Sequence, residues 1–148
     1  AGNSNLIRIS VNHGTTSSDT GTSLANLAWG PYQSSTLAAS ADTTVDLTSF
    51  SDIFNTAGKT LARIRQIIIV HSSASLASSI AVFGAASNGI DPYGLSTART
   101  LKPGDTVVYD FAATNGLVVD ATHKNFRYKN NDAVNAATWS AIIVGSTT

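Results

Sequence analysis

Apolar residues along this 148-residue chain come in short runs with a period of two, broken by polar turns. Leu6-Ile7-Arg8-Ile9-Ser10-Val11 alternates well enough for a short strand. From Asn12 to Ser23 there is no large apolar residue, so that stretch cannot repay its own ordering entropy. Residues 1–23 therefore read as a flexible N-terminal arm, either a frayed terminus or a segment that docks on a neighbouring subunit. The folded domain is expected over 24–148.

Within it, Leu24–Tyr32 carries Leu24, Leu27, Trp29 and Tyr32, with Pro31 limiting its regularity. Thr43–Leu47 reads as a strand. Phe50, Ile53 and Phe54 have helical spacing between a Thr48 or Ser49 cap and Gly58, which predicts one short helical turn. Thr60–Ser72 is the strongest element, and its β-branched density predicts a central strand buried on both faces over its second half. Ile68 sits in the middle of it, and an Asp there is expected to prevent folding. Ser79–Gly84, Ala98–Leu101, Thr106–Phe111, Leu117–Asp120, a strand around Phe126 and Tyr128, and Thr138–Val144 complete the set. Lys102-Pro103-Gly104-Asp105 has the type II turn signature, and Asn115-Gly116 predicts a hairpin. The parity of apolar positions changes between Val119 and Phe126, which places a break there. Seven to nine short strands without a βαβ rhythm predict an all-β fold: an antiparallel two-sheet β-sandwich, jelly-roll-like, preceded by the arm.

Composition narrows the function classes. Charged residues are only 12% of the chain, nine basic against nine acidic, and every acid is Asp. A net charge of zero exerts no general pull on phosphate, which argues against direct nucleic-acid binding. No apolar run approaches the ~20 residues of a membrane span. Without Cys there are no disulfides, thiolate metal sites or Cys nucleophiles. No basic n-region precedes an apolar h-region, so no secretory signal is read. Ser and Thr fill a quarter of the sequence.

Candidate chemistry is sparse. His13, His71 and His123 are far apart, and none has another at metal-chelating spacing. Asp42 and Asp46 lie four apart, but no calcium-loop spacing is present. Asp46, Asp105 and Asp120 read as turn and cap residues. There is no Gly-x-Ser-x-Gly elbow, and Gly84-x-x-x-x-Gly89 lacks the Lys-Ser/Thr of a phosphate loop. Catalytic, cofactor-binding and metal residues are therefore expected to be none, and no cofactor is expected. Arg63 and Arg65 flank Ile64 and so point to one side of the strand. With Arg99, Lys124, Arg127 and Lys129 they would form a solvated face, a patch pairing with acid on an adjacent subunit, or a nucleic-acid contact. Trp29, Tyr32, Tyr93, Tyr109, Tyr128 and Trp139 would stack sugars if exposed and coplanar, but alternation in strands places such residues in a core.

The order of several short segments adds a family likeness. Asp46-Leu47-Thr48-Ser49, Ala62-Arg63-Ile64-Arg65 leading into Ile67-Ile68-Ile69-Val70, Pro103-Gly104-Asp105, Val119-Asp120-Ala121 with Asn125, and Ala137-Thr138-Trp139 before Ile142-Ile143-Val144-Gly145 follow one another over residues 37–146. In this the chain resembles small tailed-bacteriophage virion proteins of the capsid decoration (cement) or minor head type. The resemblance implies a non-enzymatic β-sandwich that binds the capsid surface and stabilises it through self-association and capsomer contacts. The implied partners are the major capsid protein or another virion protein, and a homo-oligomer, with a trimer favoured. The implied location is the virion, assembled in the host cytoplasm, with no membrane partner. Leu6, Ile7, Arg8, Ile9, Arg63 and Arg65 are the expected assembly contacts. The alternatives are a carbohydrate- or receptor-binding module of a phage tail or fibre, and a hydrolase on the same scaffold.

Overall fold

The computed structural model describes residues 27–51, 57–75, 77–92, 98–111 and 116–147. They form nine strands: β1 (Leu27–Leu37), β2 (Asp42–Asp46), β3 (Arg63–His71), β4 (Ile80–Val82), β5 (Arg99–Leu101), β6 (Thr106–Asp110), β7 (Leu117–Val118), β8 (Asn125–Asn130) and β9 (Ala137–Ser146). One sheet runs β1-β9-β3-β6, with β7 also paired to β3; the other runs β2-β8-β4-β5. Every strand pairing is antiparallel. With β6 and β7 taken as one interrupted strand, this is the eight-stranded jelly roll. The expected arm, with Leu6, Ile7, Arg8 and Ile9, lies outside the described residues.

The two inner faces interdigitate as sandwich faces do. β8 alternates strictly, with Phe126, Tyr128 and Asn130 buried and Asn125, Arg127 and Lys129 half-buried on the other face. Trp139 of β9 stacks on Tyr128 of β8 across the layers, centroids 3.8 Å apart, and Phe83 packs edge-on against both Tyr109 and Phe126. Leu47, Leu61, Ile64, Ile67, Ile69, Ile80, Ile90 and Leu101 fill the rest of the core. Asn130 is the polar exception. Its fully buried amide donates to the carbonyls of Leu37, Ala38 and Asn135 and accepts from Asp132 N, so its burial is satisfied and two loops are tied to β8.

Three local expectations change, and a fourth is only partly described. The register of β3 against β9 shifts between Ile64 and Gln66, a bulge that flips the strand's alternation. Ile67, Ile69 and His71 therefore face the core, and Ile68 and Val70 lie half-buried on the outer face. Ile68 is not the buried centre of the strand. Second, Asn115-Gly116 does not make a hairpin between β6 and β7, because both run antiparallel to β3 and hence in the same direction. Gly116 serves close approach instead: it sits at φ 45°, and a Cβ there would lie 2.9 Å from the Ile64 carbonyl oxygen. Third, β1 extends past Tyr32 to Leu37, while the irregularity expected at Pro31 is present as a register shift between Trp29 and Tyr32. β1 borders its sheet, where the missing proline donor costs least. Fourth, the helical turn expected on Phe50, Ile53 and Phe54 falls largely on residues 52–56, which lie outside the described residues; ahead of it residues 47–49 form a turn and Phe50 bridges to Lys59.

Candidate functional site

Two regions collect the polar side chains that sequence reasoning singled out. The first is the end of the sandwich where β4 leaves its sheet. Phe83 and Asn88 hold left-handed backbone, φ 66° and 50°, which non-glycine residues rarely adopt. The core packing of Phe83 holds it there. β8 and the residue before it pin the rest of the loop. Asn88 O accepts from Lys124 N and Asn125 N, the Asn125 side-chain amide donates to Ser87 O, and Arg127 Nη1 donates to Gly84 O. The loop walls a groove of about 460 Å³, lined by residues 84–91 together with Thr122 and His123.

His123 reaches this groove from a tight turn. Asp120 Oδ1 accepts from Thr122 N (2.7 Å), Thr122 Oγ1 (2.8 Å) and His123 N (2.8 Å), and lies 3.1 Å from His123 Nδ1. These donors, led by the Thr122 hydroxyl and amide, hold the Asp120 carboxyl down to about 2. A His beside an Asp has the appearance of half a catalytic triad. Here the carboxylate closes its own turn, and the hydrogen-bonded partners of His123 are Asp120 and Thr122 of that same turn. The turn also explains the change of parity between Val119 and Phe126.

The second region is the outer face of the four-stranded sheet. Arg127 binds Asp42 through Nη2 (2.6 Å) and Nε (3.0 Å), and Lys124 Nζ meets Asp46 Oδ2 at 2.6 Å. Burial alone would raise the Asp46 carboxyl, but bonds from Lys124 and Thr48 outweigh it and leave it lowered. Arg63 and Arg65 sit on the other sheet. The six expected basic residues thus do not form one patch. The bulge between Ile64 and Gln66 leaves Arg63 half-buried and Arg65 buried, both beside Gly116.

Asp46, Asp105 and Asp120 all act as turn residues, with Asp105 Oδ2 accepting from Lys102 N at 2.7 Å. Among the described residues, no group of three or more His, Cys, Asp or Glu comes close enough to hold a metal ion. Tyr109, Tyr128 and Trp139 are buried, which removes half of the candidate aromatic platform. His13 and Tyr93 lie outside the described residues.

His71 is fully buried, its Nδ1 3.3 Å from Leu101 O and its Nε2 3.2 Å from Ser78 Oγ. Burial lowers its pKa below the usual 6.5, although the Leu101 and Lys102 carbonyls and Asp105 oppose the shift. The neutral ring donates from Nδ1 to the Leu101 carbonyl, and Nε2 faces the Ser78 hydroxyl, which itself donates to Ser75 O. A folded-state pKa below the unfolded one means that the unfolded chain binds the extra proton. Stability is then complete above the unfolded pKa and is lost as pH falls below about 6.5. Melting temperatures measured between pH 8 and pH 5 should fall on the acid side. His71→Gln should flatten the part of that slope above about pH 5, and an unchanged slope would show that other groups cause it.

Fold and geometry together define the class: a jelly-roll β-sandwich in which Asp42, Asp46, Asp105, Asp120, Lys124 and Arg127 serve the chain's own turns and cross-strand pairs. No protein-family model matches the chain, and no curated protein matches it in sequence.

Proposed function

We propose that this chain is a non-enzymatic structural protein of a virion. On this reading it binds a capsid surface and stabilises it through self-association and contacts with the major capsid protein. One observation carries most of the reading. Among the described residues, six charged groups that could do chemistry, Asp42, Asp46, Asp105, Asp120, Lys124 and Arg127, hold the body itself together. What remains is a stiff, weakly charged slab rich in small Ser, Thr and Ala side chains, which lets copies approach closely at little cost in side-chain entropy. The jelly roll is shared by viral capsid, lectin and cupin domains, so fold alone does not choose among these. The order of motifs resembling the phage decoration and minor head proteins favours the first.

The test is location. Particles purified from the source that carries this gene are probed with antibody to the chain and viewed by electron microscopy. Regular labelling of the head surface is the expected result. Label confined to the tail or fibre would favour the receptor-binding alternative, and particles free of the chain by mass spectrometry would sink the virion reading.

A further inference from the structure

Among the described residues, four strands end the two sheets, and they are guarded against pairing with another chain to different degrees. β1 holds Pro31 within an irregular register. β2 carries Asp42 and Asp46, each locked to a cation. β5 is three residues long with Arg99 exposed. β6 carries one charge as well, Asp110, whose carboxylate accepts from Gln66 Nε2, but its centre is apolar, with Val108 51% exposed. Val118 of β7, further along the same border of β3, is 44% exposed.

The backbone of β6 is oriented for pairing as well. Phe111 N donates to Arg65 O and His71 N donates to Asp105 O, so the odd-numbered residues make the bonded pairs with β3. Thr106, Val108 and Asp110 therefore turn their N–H and C=O groups to the open side. Among the described residues, no strand pairs with that side.

We infer that this border docks a second copy of the chain, β6 against β6, antiparallel about a twofold axis at Val108. Val108 then meets its own counterpart, and the Thr106 hydroxyl meets the other copy's Asp110 carboxylate. Each pair exchanges both backbone bonds. The ends of the border are complementary in charge. Arg63, half-buried, lies at the β7 end, and exposed Asp105 lies at the opposite end beside His71; Arg65 is buried and takes no part. Antiparallel docking brings the Arg63 end of each copy to the Asp105 end of the other. The outer-face stripe Val108, Ile68 and Ile142 becomes continuous across both copies.

The inference rests on the self-association in the proposed function and deepens it by assigning the surface and its symmetry. This contact is twofold, so it joins pairs and does not itself build the trimer that the resemblance implies. A border this short is small beside the ~800 Å² per partner of a standard interface. The contact is thus weak in isolation and gains strength when many copies are held on one lattice.

Sedimentation velocity from micromolar to millimolar protein tests it, with circular dichroism to confirm folding. Wild type should show a concentration-dependent dimer. Val108→Lys should raise the dissociation constant by about tenfold or more. Val134→Lys, at an 82% exposed loop position, should leave it unchanged. Hydrogen exchange on wild type gives a second readout that needs no variant: the Thr106, Val108 and Asp110 amides should slow as concentration rises. Association that ignores Val108→Lys, with no slowing at these amides, would overturn the β6 contact and leave self-association through another surface standing. A wild type that stays monomeric throughout, with unchanged amides, would overturn both.

Discussion

Gly145→Ala is expected to lower the melting temperature by about 10 °C, the size of effect that some 3 kcal/mol has on a domain of this length. Gly145 lies in β9, between β1 and β3, opposite Ala28 and Ile64. A Cβ at this position would overlap the carbonyl oxygen of Arg63 and press on both methyl carbons of Leu61, at 3.0 and 3.1 Å. The first obstacle is backbone in a central strand beside the bulge, and the second is a side chain buried in the core, so neither can move aside cheaply. Gly104→Ala is the matched control. Gly104 sits at φ 90° with open space around it, so that change costs only about 1 kcal/mol of backbone strain. Thermal melts followed by circular dichroism separate the two. A Gly145→Ala protein melting within about 2 °C of wild type, equivalent to less than 1 kcal/mol, would show slack between β3 and β9 that the geometry does not allow.

The class of fold was legible because β8 and the turns carry unambiguous local signals. Phe126 and Tyr128 alternate with polar residues, and Pro103-Gly104 admits few backbone shapes. The faces of β3 were not legible, for two physical reasons. Ile67–Val70 is apolar at every position, so its periodicity has no phase. Counting outward from Ile64 then fails, since the bulge at Ile64/Gln66 exchanges the two faces. Beside the same bulge Arg63 is half-buried and Arg65 buried, both next to Gly116, a burial that alternation alone did not show. The Asn115-Gly116 prediction failed differently. The dipeptide supplies a permissive glycine, and only the tertiary neighbour Ile64 shows that the permission is used for close approach.

The polar sites divide along the same line. The Asp120-Ala121-Thr122-His123 turn is local, and Asp120 could be read as its acceptor from spacing alone. The pairs Asp42–Arg127 and Asp46–Lys124 join residues about eighty positions apart, and no local pattern encodes them. Whether a strand such as β6 borders its sheet is likewise a property of topology. Its alternation is the same in either place, so the exposure of Val108 had no sequence signal.

Ile69→Asp should abolish cooperative folding, whereas Ile68→Asp should give a soluble protein with a sharp transition. The two residues are adjacent and chemically identical, and they differ only in the face they occupy. Ile69 is wholly buried between Val107 and Ala141 on the inner side of the sheet. A carboxylate there would be desolvated without a partner, at a cost of several kcal/mol against a total stability of roughly 5–15 kcal/mol. Ile68 lies on the outer side between Val108 and Ile142, half-buried, so an Asp can reach water. Its loss is about 1–2 kcal/mol of apolar burial and strand preference. Urea titrations of both variants, read by tryptophan fluorescence and circular dichroism together, decide the matter. Coincident sigmoids for Ile68→Asp and no native baseline for Ile69→Asp are the expected pair. The reverse pair would place the bulge elsewhere in β3, and with it would move the inner face on which the core depends.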